Sequence, residues 1–363
     1  MRAVRRFLHS GPARLMLAAT LTGAWLWASS LSDASANGLP LLTYISGLGT
    51  NNPPSVWLAD ADGTSPVVLG QATSALLSPD GTQVAALNKV KATSTLSLYP
   101  VGGGSPTVLT TAKRFMQLLA WSADAKLLLV LIGGGASGQL VVFDVATHTN
   151  TTVASGVFDN ASFQPGGSDQ VVYALANKSS VNLFIAPSSG LGHARQLTHD
   201  GHSEYPLWGR DGIVYSRATP RRGGKTPALE LWTIKPNGSG NHQLASMAVP
   251  SALSRLSSIA LTPIAFSASG EHLLANLVGP NYIEAYVLDL TSLTAKKPVG
   301  VPHDLTGQGN GAIGDAISAK GDVILLTKWT PGSQGGYSIE TAHWNGGKPT
   351  LLVKSGAYAS WDQ

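Results

Sequence analysis

A short sequence phrase recurs six times along the chain, and it constrains the fold more than any other feature. Each copy has an apolar segment ending in an aromatic residue or Ser, a tight turn rich in Asp and Gly, and a second apolar segment. The phrases align at Ser78, Ser122, Gln164, Gly209, Ser267 and Ser318, in steps of 44, 42, 45, 58 and 51 residues. A period of this length with several short strands per unit is typical of β-propellers. The sequence therefore predicts an all-β chain built as a β-propeller.

The two ends of the chain predict how such a ring closes. Residues 41–46, 55–59 and 66–69 form three predicted strands with no first strand before them, and residues 357–361 form a first strand with nothing after it. If the C-terminal strand joins the N-terminal sheet, no sheet edge is left open to aggregation. Six interior units and this composite unit predict seven blades, and six blades are the alternative if a longer step is divided differently.

Aromatic residues recur next to the second turn of the units. Large flat side chains at this place fill the wedge between neighbouring sheets, which diverge outwards in a propeller. We therefore interpret these residues as core rather than as ligand-stacking groups; they are Trp121, Phe163, Trp208, Phe266 and Trp361.

The first 36 residues are predicted to be a secretory signal peptide. They contain four arginines, an apolar run at residues 15–28, and a small-residue cleavage site ending at Ala36. The run is shorter than the roughly 20 residues that span a bilayer, although an uncleaved anchor is the alternative. We expect cleavage after Ala36, a secreted or periplasmic location, a single domain at residues 37–363, and no membrane-spanning segment in the mature chain.

Charge and cysteine content exclude several classes of function. The chain has 24 Lys and Arg and 20 Asp and Glu, but without the signal segment the numbers are 20 and 19, so the mature chain is nearly neutral. Such a balance gives no basis for nucleic-acid binding. The chain has no cysteine, which excludes disulfides, thiolate zinc sites and a cysteine nucleophile. We expect a monomer.

One unit carries a resemblance to a known family. Residues 196–199 read Gln-Leu-Thr-His, and residues 206–216 read Pro-Leu-Trp-Gly-Arg-Asp-Gly-Ile-Val-Tyr-Ser. This pattern resembles the repeat of TolB-like, WD-repeat-like β-propellers, and residues 76–84 and 119–129 are similar to it. Residues 163–167 and 317–321 depart from the motif. The resemblance implies a propeller fold. Among proteins that share it are exported scaffolds that bind envelope proteins and propeller domains attached to peptidases, so it does not indicate one activity.

The sequence contains one candidate cluster of catalytic residue types. The chain has no Gly-x-Ser-x-Gly elbow, no phosphate-binding loop and no His-Glu-x-x-His sequence. Residues 199–204 place His199, His202 and Glu204 close together, with Asp200 between them. These residue types can ligate a divalent metal or form an acid–base pair, and a solvated polar loop is the alternative. No cofactor is predicted, with a divalent metal as the alternative.

The distribution of charge over the predicted turns suggests a second candidate site. Loops that join second to third strands, and fourth to next first strands, emerge on one face of a propeller, called the loop face below. The predicted loop face carries ten basic residues: Lys89, Lys91, Lys113, Arg114, Lys178, Arg217, Arg221, Arg222, Lys225 and Arg255. The other turns carry ten acids: Asp60, Asp62, Asp80, Asp124, Asp144, Asp169, Asp211, Glu271, Asp289 and Asp322. A basic face attracts anions. The ligand-binding residues predicted on it are Arg217, Arg221, Arg222, Lys225, Lys113 and Arg114.

These observations favour a non-catalytic propeller over an enzyme. The sequence contains no complete catalytic set, and a rigid ring presents variable loops for binding. We therefore expect a scaffold whose loop face binds a protein or anionic polymer of the cell envelope. The alternative is a propeller lyase or hydrolase, or a sugar-binding protein, that uses His199, His202 and Glu204 at the channel mouth.

Overall fold

In the computed structural model, the regular secondary structure of the described residues is β-strand, apart from one turn of 3-10 helix at Gly135–Ser137. The structure describes residues 40–218, 228–248, 259–279, 282–291, 303–304, 311–329 and 336–361. The strands are β1 (Leu41–Ser46), β2 (Ser55–Asp60), β3 (Val67–Gln71), β4 (Ser74–Leu77), β5 (Gln83–Val90), β6 (Thr93–Pro100), β7 (Thr107–Ala112), β8 (Met116–Trp121), β9 (Leu127–Ile132), β10 (Gly138–Asp144), β11 (Asn150–Phe163), β12 (Gln170–Asn177), β13 (Ser180–Pro187), β14 (Arg195–Gln196), β15 (Ser203–Gly209), β16 (Gly212–Ala218), β17 (Ala228–Ile234), β18 (His242–Ala248), β19 (Ala260–Phe266), β20 (His272–Gly279), β21 (Tyr282–Asp289), β22 (His303–Asp304), β23 (Ala312–Ile317), β24 (Val323–Trp329), β25 (Tyr337–His343), β26 (Thr350–Val353) and β27 (Ala357–Trp361). None of the segments in these ranges is a helix long and apolar enough to cross a membrane.

The strands form antiparallel sheets in which sequence neighbours pair. Sheet A has the order β27-β1-β2-β3 and sheet B the order β4-β5-β6-β7, while sheets E, F and G contain β15–β18, β19–β22 and β23–β26. A larger sheet runs from β8 to β14 and consists of two four-stranded halves, C and D, which share β11. Each sheet contacts the next in chain order, and β23 and β24 of sheet G contact β27 of sheet A. The all-β prediction is confirmed.

Strand β11 joins two units that the sequence predicts to be separate. Its residues 150–156 pair with β10 and its residues 157–163 pair with β12. Gly156 lies at the junction with φ of 146°, and a Cβ there would approach Leu175 Cδ1 to 2.6 Å. Glycine therefore fits this position, where the strand passes from one half-sheet to the other.

The C-terminal strand pairs with the first strand of the chain. Strand β27 runs antiparallel to β1, with Leu42 opposite Trp361 and Ile45 opposite Ala357. Strand β27 also contacts sheet B, because Ser360 Oγ accepts a hydrogen bond of 3.0 Å from the Leu77 backbone N–H. The predicted pairing of the two chain ends is therefore present.

The core lies between neighbouring sheets. Leu183 of sheet D and Trp208 of sheet E belong to one buried cluster, and Leu231 of sheet E packs with Leu273 of sheet F in another. Trp208 and Phe163 are 7% and 6% exposed. The three other recurring aromatic residues are half-buried against such clusters, so the core interpretation is confirmed; they are Trp121, Phe266 and Trp361.

Most first strands contain one irregularity in register. It follows Phe158 in β11, Glu204 in β15 and Gly314 in β23, and similar shifts occur in β8, β19 and β27. A bulge leaves residues unpaired and turns their side chains away from the regular alternation. These interruptions position the acidic side chains described next.

Candidate functional site

The predicted polar cluster lies in the loop between β14 and β15. Asp200 closes this loop, because its Oδ1 accepts hydrogen bonds from the His202 backbone N–H at 3.0 Å and the Ser203 hydroxyl at 2.8 Å. The Gly201 backbone N–H donates to Asn182 Oδ1 at 3.0 Å, which fixes the loop against the β12–β13 hairpin. Such side-chain-to-backbone bonds are the ordinary way in which Asp and Asn shape turns. The loop is thus held in one conformation beside sheet D.

Arg217 is the one basic residue of the predicted 217–225 binding segment that lies within the described ranges, and it is neutralised by Asp200. Its Nε lies 3.1 Å from Asp200 Oδ2, and the two side chains are 28% and 22% exposed. Its guanidinium also stacks over the Trp232 ring at 4.1 Å, and Trp232 Nε1 donates to Glu230 Oε2 at 2.8 Å. Arg217 is thereby held in place with its charge compensated. Arg221, Arg222 and Lys225 lie outside the described residues, and so does Arg255.

The predicted metal ligands differ in environment. His199 is exposed, whereas His202 and Glu204 are half-buried. Strand β13 contacts the loop at His202, which forms a bridge with Val181. Within the described ranges, no group of three or more His, Asp or Glu side chains has an arrangement that could hold a metal ion. The metal site stays a prediction.

The structure instead associates Glu204 with Asp159, a residue that the sequence analysis did not select. Glu204 precedes the irregularity of β15, and Asp159 lies in the irregularity of β11, so two neighbouring inner strands present carboxyl groups at similar positions. Burial, and then the nearby Asp159 carboxylate, raise the pKa of Glu204 to about 7. A carboxyl group with this pKa can donate or accept a proton near neutral pH.

Tyr205 completes this acidic group. It lies in the β15 irregularity with φ of 50°, a conformation uncommon for a bulky residue. Burial raises the pKa of its phenol, and the Asp159 and Glu204 carboxylates raise it further. The hydroxyl therefore stays protonated as a hydrogen-bond donor. In the sequence, Asp159, Glu204 and Tyr205 are marked only as acids and a tyrosine inside predicted first strands.

A second buried acid lies where sheet G meets the C-terminal strand. Asp315 occupies the irregularity of β23, and its Oδ2 accepts hydrogen bonds from Thr327 Oγ1 at 2.5 Å and from the Ala359 backbone N–H at 3.2 Å. Thr327 Oγ1 accepts in turn from the Tyr358 backbone N–H at 2.7 Å. Burial raises the pKa of Asp315 to about 7, although both hydrogen bonds act in the opposite direction. This network anchors β27 to sheet G.

Other predicted basic residues lie on the loops of sheets B, C and D. Five of these residues are Lys89, Lys91, Lys113, Arg114 and Lys178, and we call the connections that carry them the basic loops. The Arg114 guanidinium donates to the Ser137 carbonyl and, at 3.2 Å, to Gln139 Oε1, while its own carbonyl accepts from Ser94 Oγ at 2.9 Å. The β5–β6, β7–β8 and β9–β10 connections are therefore tied together. None of the five forms an ion pair with a described carboxylate.

The acids of the opposite turns have a structural role. Asp124 Oδ1 accepts from Ser122 Oγ at 2.6 Å, and Asp322 Oδ1 accepts from Ser318 Oγ at 2.7 Å. These hydrogen bonds from serine hold the pKa of both carboxyls below its usual value. Their charge is therefore part of the turn structure.

An open cavity of about 430 Å³ lies beside the polar loop on sheet D. Asn177, Asn182 and Gln196 contribute amides to its lining, Lys178 contributes an amine, and Phe184 contributes an apolar wall. Gly201 is close to it, since a Cβ there would lie 3.1 Å from Ser180 Oγ. Such a lining can hydrogen-bond a small polar ligand.

Comparisons with known proteins show the fold. No family model and no curated protein matches the chain. Among solved structures, the β-propeller domain of the trilobed protease from Pyrococcus furiosus is similar, at 14% identity and a TM-score of 0.58, over 88% of this chain and 92% of that one. The fold is that of a β-propeller.

Two other propellers with different printed descriptions are similar to a comparable degree. TolB from Acinetobacter baumannii matches at 14% identity and a TM-score of 0.52, over 92% of this chain and 86% of that one. An oligogalacturonate lyase in complex with manganese matches at 13% identity and a TM-score of 0.57, over 83% and 84%. At such identities the likeness defines a TolB-like propeller fold and no activity.

Proposed function

We propose that the chain is an exported, non-catalytic β-propeller that binds a protein or anionic polymer of the cell envelope through its loop face. The ring in this proposal has seven blades, with sheet A closed by β27. The pairing of β27 with β1, the division of the large sheet into halves C and D, and the contact of sheet G with β27 support that arrangement. Signal cleavage after Ala36 would leave three residues before the first described residue, Pro40.

The observation that carries the binding proposal is the state of the basic loops. Lys91, Lys113, Arg114 and Lys178 are exposed, Lys89 is half-buried, and none of them is paired with a described acid. Cations that form no ion pair with a described carboxylate are available to an anionic ligand. By contrast, Asp124 and Asp322 on the opposite face are hydrogen-bonded within their own turns. The loop face is therefore the better candidate for binding.

A soluble polyanion tests this proposal directly. We expect the chain to bind dextran sulfate at low ionic strength and to release it as salt screens the charges. The variant Lys91→Glu/Lys113→Glu should bind at least tenfold more weakly. The matched control is Lys235→Glu/Lys348→Glu, which makes the same charge change at exposed turns of the opposite face. Equal loss in both variants, or binding that salt does not change, would contradict the proposal.

A second function, catalysis, is favoured by the Glu204–Asp159 pair. Two neighbouring carboxyls of which one has a pKa of about 7 are suited to proton transfer. One similar structure is that of an oligogalacturonate lyase in complex with manganese, so oligogalacturonate with Mn²⁺ is a direct assay substrate. Product formation that is lost in Glu204→Gln, together with bound metal that is lost after dialysis in His202→Ala, would establish this activity and overturn the scaffold proposal.

A further inference from the structure

The basic loops are accompanied by exposed apolar side chains. Val90 is 51% exposed, Phe115 is 46% exposed and Val157 is 37% exposed. Val90 lies between Lys89 and Lys91, and Phe115 directly follows Lys113 and Arg114. Single exposed apolar residues are ordinary, but three on adjoining connections among unpaired cations form an amphipathic surface.

These connections are close together and held in shape. Ser94 Oγ donates to the Arg114 carbonyl, and the Gly133 backbone N–H donates to the Phe115 carbonyl at 2.7 Å. Val157 pairs with Ala176, next to the hairpin that carries Lys178. The surface therefore spans sheets B, C and D without needing any rearrangement to form.

The charge of this surface has one sign. Residues 88–93, 112–116, 132–138 and 176–181, which make up its connections, contain no Asp or Glu. Among the acids of the neighbouring strands, Asp200 is paired with Arg217, and Asp159 and Glu204 are half-buried at the irregularities of β11 and β15. An anionic partner would thus meet little local repulsion.

We propose that this part of the loop face docks on an anionic phospholipid membrane, with Val90 and Phe115 in the headgroup region and the basic loops against the lipid phosphates. Val90 lies at a hairpin tip, because it pairs with Thr93 across the two-residue turn that begins at Lys91. Apolar tips that protrude are suited to entering an interface, whereas an extended peptide would need a groove. The inference rests on the anion binding in the proposed function and adds a membrane surface as an anionic partner of the same face.

The absence of cysteine allows an experiment that reports on this surface alone. The full chain with Val90→Cys is labelled with an environment-sensitive fluorophore and mixed with vesicles of phosphatidylcholine with or without phosphatidylglycerol. The matched control is Val108→Cys, a 56% exposed position near the start of β7 in the same sheet. Any affinity of the N-terminal apolar segment for lipid is common to both proteins.

We expect the label at Val90 to become brighter and blue-shifted only with anionic vesicles, and the label at Val108 to remain unchanged. The shift should disappear at about 0.5 M salt, where the Debye length is only about 4 Å. Adding Lys91→Ala and Lys113→Ala to the Val90→Cys chain should weaken the response roughly thirtyfold, at about 1 kcal/mol for each cation near the surface. Equal responses at both positions, or none at Val90, would overturn the inference.

A second variant separates this inference from the proposed function. Phe115→Ser removes an exposed apolar side chain, so it should reduce the vesicle response several-fold and leave dextran sulfate binding unchanged. If the chain binds dextran sulfate but Val90 shows no response to anionic vesicles, membrane docking is wrong and the proposed function stands. If dextran sulfate does not bind either, anion binding by the loop face is wrong as well. Urea unfolding of each variant confirms that it is folded.

Discussion

Glu204 and Asp315 lie at similar places in the fold but have different surroundings. Both are acids at the irregularity of a first strand, and burial raises the pKa of each to about 7. Asp315 accepts one hydrogen bond from the Ala359 backbone N–H of β27 and one from Thr327 Oγ1 of its own sheet G, and thereby holds β27 against that sheet. Glu204 instead has the Asp159 carboxylate beside it. The same kind of irregularity therefore places Asp315 as a structural anchor in sheet G and places Glu204 beside a second carboxyl in sheet E. We call Glu204 and Asp159 the poised pair.

The largest expected effect is the pH dependence of stability that both acids produce. Their folded-state pKa values exceed those of the unfolded chain, so the native state binds more protons and loses stability as pH rises. Their contribution to the free energy of unfolding is fully present below about pH 4 and is lost as the pH rises through about 7. We expect the free energy of unfolding in urea to fall by roughly 3–5 kcal/mol between pH 5 and pH 8. Glu204→Gln and Asp315→Asn should each remove about half of this slope, and an unchanged slope in both would contradict the comparison.

The next effect is the loss of stability on removing each acid, which should be larger for Asp315 than for Glu204. At pH 5.5, Asp315→Ala should lower the free energy of unfolding by roughly 2–4 kcal/mol, because the Ala359 N–H and the Thr327 hydroxyl lose their acceptor. Glu204→Ala should cost less than about 1 kcal/mol, because within the described ranges no hydrogen bond reaches its carboxylate. Asp315→Asn, which keeps an acceptor oxygen, is the control. Equal losses at the two positions would remove the distinction.

The sequence predicts the strands better than these acids. Residues 41–46 and 357–361 are predicted strands with the observed bounds, because turn residues delimit apolar segments. Asp315 and Asp159 were missed because an acid inside a strand carries no signal of its own. Their positions depend on irregularities in register, which the alternation of apolar and polar residues does not reveal. The continuous strand β11, which joins two predicted units, was not predicted either, because a glycine such as Gly156 is typical of turns.

A smaller gain of stability is expected when the charge of the poised pair is removed at high pH. At pH 8.5 the folded protein must hold Glu204 ionised in a half-buried position beside Asp159. Glu204→Gln should therefore raise the free energy of unfolding by roughly 1–3 kcal/mol at pH 8.5 and have little effect at pH 4.5. Urea denaturation at both pH values measures this difference. A loss of stability at pH 8.5 would mean that the carboxylate is stabilised by contacts other than those described.

The smallest effect concerns the influence of one acid on the other. Asp159→Asn should lower the pKa of Glu204 by less than about one unit, because burial is the larger cause of its shift. NMR titration of the Glu204 carboxyl carbon measures the change, and the carboxyl of Asp315 serves as an internal reference that should not move. A return of Glu204 to an ordinary pKa would make Asp159 the dominant cause.

The shared strand β11 has a consequence for local opening of the molecule. A segment of 14 residues that hydrogen-bonds β10 along one half and β12 along the other leaves no hinge at which those two half-sheets could separate. Hydrogen exchange of the amides in β8–β14 should accordingly follow one common opening reaction, because unfolding either half breaks the ladder that orders the other. Neighbouring sheets that share no strand, such as E and F, are free to exchange on separate timescales.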